Sequence, residues 1–317
     1  MDFYVSRTVT FDLPDSWGDN VHLVNERGYV NSHVAAYPVF LHGVIRRWFE
    51  FWFSLKLLFR TSCYDCIAVG RFGLWVPILV SLLFLKRRVV LMDVEWPKVK
   101  RGLFNKAASL GSVAVCCFTS EEIRRYSLQY NIPKNKFKLV QAPFDSKNVI
   151  DTIDGGYVFA GGYQARDWET FLAAIKGLPY KVRIFTREVL EPLSDNVTVE
   201  HSNAEDYYLA MAHASCVVVP IRPEPMRITG MMTWTNAMAM GKTVIVSEPL
   251  GAPDYIDHGV SGFVVNYADV EELRKYIKLV MEDNNLRTRV GQEAKKRAHF
   301  QSSPDVYRNK ILGLFES

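Results

Sequence analysis

The sequence predicts an α/β protein made of two doubly wound domains, each a parallel sheet flanked by helices. Three observations carry this expectation. The chain has 317 residues, enough for two domains that each bury a core. From residue 64 onward, short β-branched runs alternate with longer helical patterns, the order that builds parallel sheets. The polar stretch SKNVIDTIDGG, residues 146–156, interrupts this order once and reads as a linker. The expected domains are therefore residues 1–150 and 151–301.

In the first domain YDCIAVG reads as a strand ending in Gly70, FGLWVPILVSLLFL as a helix and RRVVLMDV as a second strand. A helix over residues 100–110 leads to the strand SVAVCCFTS. Ser120, followed by Glu121 and Glu122, then caps a helix over residues 120–130. KFKLVQAPFD closes the domain. The second series runs YVFAGG, a helix over 168–176, KVRIFTR, NVTVEH, a helix near 204–214, SCVVVPI, a helix through 235–240, KTVIVS and GFVVNY. Helices over 270–283 and 285–298 follow. Ligands of such sheets bind outside the carboxyl ends of the strands.

Apolar residues make up 49% of the chain, and its charges are interspersed, which excludes a disordered or fibrous class. Residues 1–150 carry 20 Lys and Arg against 12 Asp and Glu, whereas residues 151–317 carry 18 against 22. A basic half facing an anionic surface or substrate fits this asymmetry, as does ordinary solvated charge. Cys63-x-x-Cys66 has no second C-x-x-C pair or His cluster to complete a zinc site, so reduced structural thiols are expected. The N-terminal MDFYVSRTVTFDLPDSWGDN lacks the apolar core of a signal peptide, and a cytoplasmic location is expected.

Two apolar stretches raise the question of membrane contact. Residues 72–85 contain Pro77 and fall short of the ~20 residues a spanning helix needs, so they read as a buried helix. Residues 45–60 mix Arg46, Arg47, Lys56 and Arg60 with Trp48, Phe49, Phe51, Trp52 and Phe53. That is the composition of a helix lying in a membrane interface, and equally of one packed between domains.

The most informative run is TGMMTWTNAMAMGKTVIV, beginning at Thr229. Gly230 permits close backbone approach, Thr233 offers a hydroxyl near a helix start, and free amides there can receive a phosphate. A tight loop with Thr as an N-cap accounts for the same residues. A second segment, YVFAGGYQARDW, places Gly161 and Gly162 after a strand and Arg166 before a helix. In the first domain Asp93 and Glu95 follow a strand; either can orient or deprotonate a hydroxyl, or serve as a cap or ion pair. His201 follows a strand of the second domain and is a candidate for contact with a nucleotide base, the alternative being a structurally satisfied imidazole. No metal site is assigned.

The run from Gly230 through Thr233, Asn236-Ala237-Met238-Ala239-Met240-Gly241 and Val244-Ile245, followed by Gly251, Asp254, Gly259 and Gly262, resembles the donor site of GT-B glycosyltransferases, in particular family 4. The resemblance covers residues 155–300. It implies two Rossmann-like domains facing a central cleft, with the donor on the second domain, the acceptor on the first, and a final helix in residues 302–317 returning to the first. It further implies a nucleotide-sugar donor, UDP- or GDP-linked, and transfer with retention and without an obligatory metal or other cofactor.

Residue by residue, the resemblance assigns the donor diphosphate to Gly161, Gly162, Arg166, Thr229, Gly230 and Thr233. Tyr163 stands where relatives carry an Arg, and Arg227 is the candidate to supply that charge. Asn236 replaces the glutamate that binds ribose, and Ile228 replaces its partner glutamate. Arg166, Asp93 and Glu95 are the candidate catalytic residues, with His201 and Asn236 on the ribose and base. A glycan or lipid-linked acceptor and an anionic membrane surface, but not nucleic acid, are the expected partners. A non-catalytic nucleotide-sugar binder, or an epimerase or phosphorylase on the same fold, is the alternative.

Overall fold

The computed structural model describes residues 3–6, 21–24, 42–60, 66–69, 75–82, 88–92, 101–191, 194–201, 203–222, 228–248 and 250–316. The chain divides into two compact units, Met1–Val140 with Arg308–Ser317, and Gln141–Tyr307. The division falls earlier than the polar linker at 146–156 suggests. Residues from 141 onward are built into the second unit: the Ala142 amide donates to the Tyr255 hydroxyl at 2.8 Å, the Phe144 amide to the Ser302 carbonyl at 2.9 Å and, within the linker, the Gly155 amide to the His213 carbonyl at 2.8 Å.

The first unit holds a six-stranded parallel sheet in the order β2-β1-β3-β4-β5-β6. Its strands are β1 (Phe3–Ser6), β2 (Val21–Val24), β3 (Cys66–Val69), β4 (Arg88–Leu91), β5 (Val113–Cys117) and β6 (Phe137–Leu139). The first two were not anticipated from the sequence. Helices α1 (His42–Arg60), α2 (Trp75–Leu82), α3 (Arg101–Ala108) and α4 (Ser120–Tyr130) connect them. In α2 the side chains of Val76, Ile78, Leu79 and Val80 are buried, consistent with a core helix. The cap of α4 is Thr119 rather than Ser120, its hydroxyl accepting from the Glu122 amide at 3.1 Å. Among the described residues no helix is long and apolar enough to cross a membrane.

The second unit is a parallel sheet in the order β12-β11-β10-β7-β8-β9. Its strands are β7 (Tyr157–Gly161), β8 (Lys181–Phe185), β9 (Val197–Glu200), β10 (Cys216–Val219), β11 (Thr243–Val246) and β12 (Phe263–Val264). Every residue of β7, β10 and β11 is buried, as expected of strands covered on both faces. The helices are α5 (Trp168–Ile175), α6 (Ala204–Ala212), α7 (Met231–Ala239), α8 (Val270–Glu282) and α9 (Asn284–Ser302), and α10 (Pro304–Glu316) follows.

Helices α5 and α8 cover one face of this sheet. Leu273, Ile277 and Val280 recur at helical spacing along α8 and meet Trp168, Phe171 and Ala174 of α5 in one core. Each such side chain contributes about 1.5–3 kcal/mol when fully buried. β7 and β10 lie side by side, with the chain running outward from them in opposite directions. This is a topological switch point, where the loops leaving adjacent strands diverge and leave room for a ligand.

Candidate functional site

Two turns meet at the switch point of the second unit. The first leaves β7 through Gly161 and Gly162 and enters α5; the second leaves β10 at Pro220 and enters α7 at Gly230. Backbone hydrogen bonds tie them together: the Asp167 amide donates to the Pro220 carbonyl at 3.1 Å and the Arg222 amide to the Ala165 carbonyl at 2.8 Å. Ala165 has φ +48°, a left-handed conformation uncommon outside glycine. Such strain is typical of functional turns.

Arg166 lies beneath both turns. Its side chain is 4% exposed; Nε donates to the Gly161 carbonyl at 2.9 Å, Nη1 to the Gln164 carbonyl at 2.7 Å and Nη2 to the Thr233 hydroxyl at 3.1 Å. Gly162 is required here: at φ +135°, a β-carbon on it would lie 2.0 Å from Arg166 Nη2. Burial lowers the guanidinium pKa, and the neighbouring Tyr207 partly opposes that shift. The Tyr207 hydroxyl lies 3.2 Å from the same Thr233 hydroxyl, so Arg166, Thr233 and Tyr207 form one buried polar cluster.

This placement corrects the expectation that Arg166 reaches out to a diphosphate. Three of its five N–H donors are taken by the protein, and it acts as a clamp that brings a positive charge under the two turns. No carboxylate forms an ion pair with it among the described residues.

The two helix starts differ. At α5 the Asp167 carboxylate caps the helix, accepting from the Thr170 amide at 3.1 Å. At α7 the cap is Gly230, φ +86°, with no side-chain cap. The Thr233 amide turns back to the Gly230 carbonyl at 2.9 Å, and the amides of Met231 and Met232 have no acceptor among the described residues. The Thr229 hydroxyl oxygen is buried and has no hydrogen-bond partner among the described residues. An orphaned hydroxyl and open amides at a helix N-terminus are donors suited to an oxyanion.

Asn236 does not fit the ribose role expected of it. It is fully buried, its side-chain oxygen accepts from the Asp145 amide at 3.1 Å, and its nitrogen donates to the Met232 carbonyl at 2.7 Å. His201 stands at the end of β9, its Nδ1 hydrogen-bonded to the Thr186 carbonyl. A carbonyl only accepts, so Nδ1 carries the proton and Nε2 of the neutral ring is left as an acceptor. The imidazole lines a cavity of about 410 Å³ with Arg183, Glu200, Asp206, Leu209, Ala210 and His213. Arg183 there is neutralised by Glu200 through contacts of 2.8 and 2.7 Å. Asp93, Glu95 and Arg227 lie outside the described residues. No group of residues able to hold a metal occurs among the described ones.

The whole architecture has counterparts among solved structures. The Anabaena protein HepE in complex with UDP superposes with a TM-score of 0.70 at 15% identity, over 100% of both chains. A glycosyltransferase from Rickettsia africae gives 0.67 at 13% identity, over 93% of this chain and 84% of the other. Sucrose-phosphate synthase from Thermosynechococcus elongatus gives 0.65 at 14%, over 95% and 81%. The fold is GT-B. Residues 165–297 of this GT-B chain match the family described as glycosyl transferases group 1. The match begins one residue before Arg166 and contains the second turn whole and the first turn from Ala165 onward. No curated protein sequence matches the chain.

The sequence did not point to Tyr207. Its ring packs on Phe159 at 5.2 Å, Phe185 at 6.0 Å and Tyr163 at 6.3 Å, so it carries both turns. A tyrosine on an otherwise ordinary helix gives no sequence signal of this kind.

Proposed function

We propose that the protein is a glycosyltransferase that binds a nucleoside-diphosphate sugar at the carboxyl edge of its second unit and transfers the sugar to a hydroxyl acceptor. One observation carries the reading: a buried guanidinium that has no carboxylate partner among the described residues lies under an open helix N-terminus, within the segment that matches glycosyl transferases group 1. Such a site is completed by an anion. As the glycosidic bond breaks, charge grows on the leaving diphosphate, and fixed amides, the Thr229 hydroxyl and the field of Arg166 stabilise it. HepE and S. aureus TarM were solved with UDP, which makes UDP the first nucleotide to try.

Retention and independence of metal follow from the family resemblance, and the site's donors are compatible with both. A lipid-linked acceptor is supported by α1, where Trp48 is 56% and Trp52 42% exposed and Arg46 and Lys56 are exposed beside them. Liposome sedimentation tests this part. Salt-sensitive binding to anionic vesicles is expected, and a protein that stays in the supernatant at low salt refutes it.

The central test is calorimetry with UDP, GDP and ADP in EDTA, followed by a transfer assay with the matching sugar nucleotides. Micromolar binding of one nucleotide with turnover supports the proposal; absence of binding to all three overturns it. The buried Asn236 and the apolar Ile228, where relatives carry glutamates, favour one alternative, a nucleotide-sugar binder without transfer. Binding without any product would establish that alternative.

A further inference from the structure

We propose that Arg187, seated on the ring of Tyr163, is the residue that contacts the donor diphosphate directly. The proposal rests on the donor-site reading above and adds the missing exposed cation.

A diphosphate carries more negative charge than the half-charge of one helix N-terminus can balance, so an accessible cation is needed beside α7. Arg166 cannot be that cation, because its three nitrogens donate inward and its side chain is buried. Arg222 faces Glu188, with 4.0 Å between nitrogen and oxygen. Arg187 remains. It follows β8, whose Phe185 pairs with Gly161 of β7, so it emerges beside the first turn. Its side chain is exposed, and its guanidinium carbon lies 4.5 Å from the centre of the Tyr163 ring. It makes no hydrogen bond or ion pair among the described residues, which leaves its donors available for phosphate oxygens.

The platform is fixed from below. Tyr163 rests on Tyr207 at 6.3 Å, and the Tyr207 hydroxyl touches Thr233 at the start of α7. A packed column thus runs from Arg187 to the open helix terminus, and it sets where the guanidinium can reach. Among the described residues the acidic group nearby is Glu188, which faces Arg222 and raises the Arg166 pKa. Tyr163 occupies the position at which relatives were expected to carry an arginine. The pair restores that charge from the neighbouring strand.

The test compares UDP with uridine on the intact protein. Arg187→Ala is expected to weaken UDP about 10- to 30-fold and to leave uridine within twofold, since the lost contact is to phosphate. Tyr163→Leu, which removes the platform but not the charge, is expected to weaken UDP about threefold. The double variant Tyr163→Arg with Arg187→Ala should recover most of the affinity. Unchanged UDP binding by Arg187→Ala, or an equal loss for UDP and uridine, overturns the proposal while wild-type binding still supports the donor site. A wild type that binds no nucleoside diphosphate overturns the donor site as well.

Discussion

The two edges of the second sheet are finished differently. At the amino edge the charges of Lys242, Asp154 and Arg287 are answered within the protein. The Lys242 ammonium donates at 2.9 Å to the carbonyls of Ile153 and Ala214, and Asp154 pairs with Arg287 at 2.6 Å and accepts from Ser215. At the carboxyl edge, among the described residues, the Arg166 cation has no ion-pair partner, the Thr229 hydroxyl has no partner, and α7 begins on open amides. Both edges bury a cation. Only one leaves donors over, and a folded protein keeps such groups where a ligand will satisfy them. The contrast extends to the carboxyl edge itself, since α5 closes its N-terminus with Asp167 and α7 does not.

Removing the buried cation should have the largest effect. Arg166→Ala deletes three hydrogen bonds that hold the turns, so nucleotide affinity should fall about 30- to 100-fold, with unfolding stability reduced by about 2–4 kcal/mol. Calorimetry and urea unfolding measure the two losses. If affinity survives, the charge beneath the turns is only structural and the contrast between the edges collapses.

Gly230→Ala sharpens the contrast next. Its φ of +86° is strained for alanine, and a β-carbon would lie 2.6 Å from Ile221 Cδ1. The start of α7 must shift, costing about 1–3 kcal/mol, and nucleotide binding should weaken about tenfold. Affinity equal to wild type would show that the open amides are not the anion site.

Much of this edge was legible in the sequence. Gly230 and Thr233 were found by their spacing before a buried helix, and Gly161 and Gly162 by their place after a strand. What could not be read was direction. Whether Arg166 faces outward depends on Gly162 at φ +135° and on Thr233, 67 residues further along the chain. Asn236 looked free for a ribose, yet the Asp145 amide, 91 residues upstream, claims its oxygen. Helix α7 starts at Met231 instead of near Thr235 because burial of Met231, Thr233 and Trp234 outweighs the modest helix propensity of threonine. β1 and β2 escaped notice because four-residue strands carry too little periodicity.

A smaller effect separates the two helix starts. Asp167→Ala removes the cap of α5 and should cost about 0.5–2 kcal/mol, the usual value of such a cap. Nucleotide affinity should stay within twofold of wild type, because that terminus is closed to ligands already. A loss of affinity comparable to that of Gly230→Ala would mean that both helix starts serve the anion.

The smallest effect belongs to the amino edge and appears only against pH. Burial lowers the Lys242 pKa to about 8 from 10.5, partly opposed by Asp154. The folded value lies below the unfolded one, so between them the unfolded chain holds a proton that the folded protein has released. Stability from this group therefore rises as pH increases from about 8 to 10.5, and below 8 the cost of burying the ammonium is felt in full. Discounted for solvent near the ammonium, the change is on the order of 1–2 kcal/mol. The buried thiols of Cys116, Cys117 and Cys216 oppose it, since burial raises their pKa values and their contribution falls as pH rises. Subtracting the stability of Lys242→Met from that of wild type at each pH cancels the thiols. That difference should move in favour of wild type between pH 8 and 10.5, with nucleotide affinity unchanged at either end. A flat difference would show Lys242 to be charged throughout at no cost.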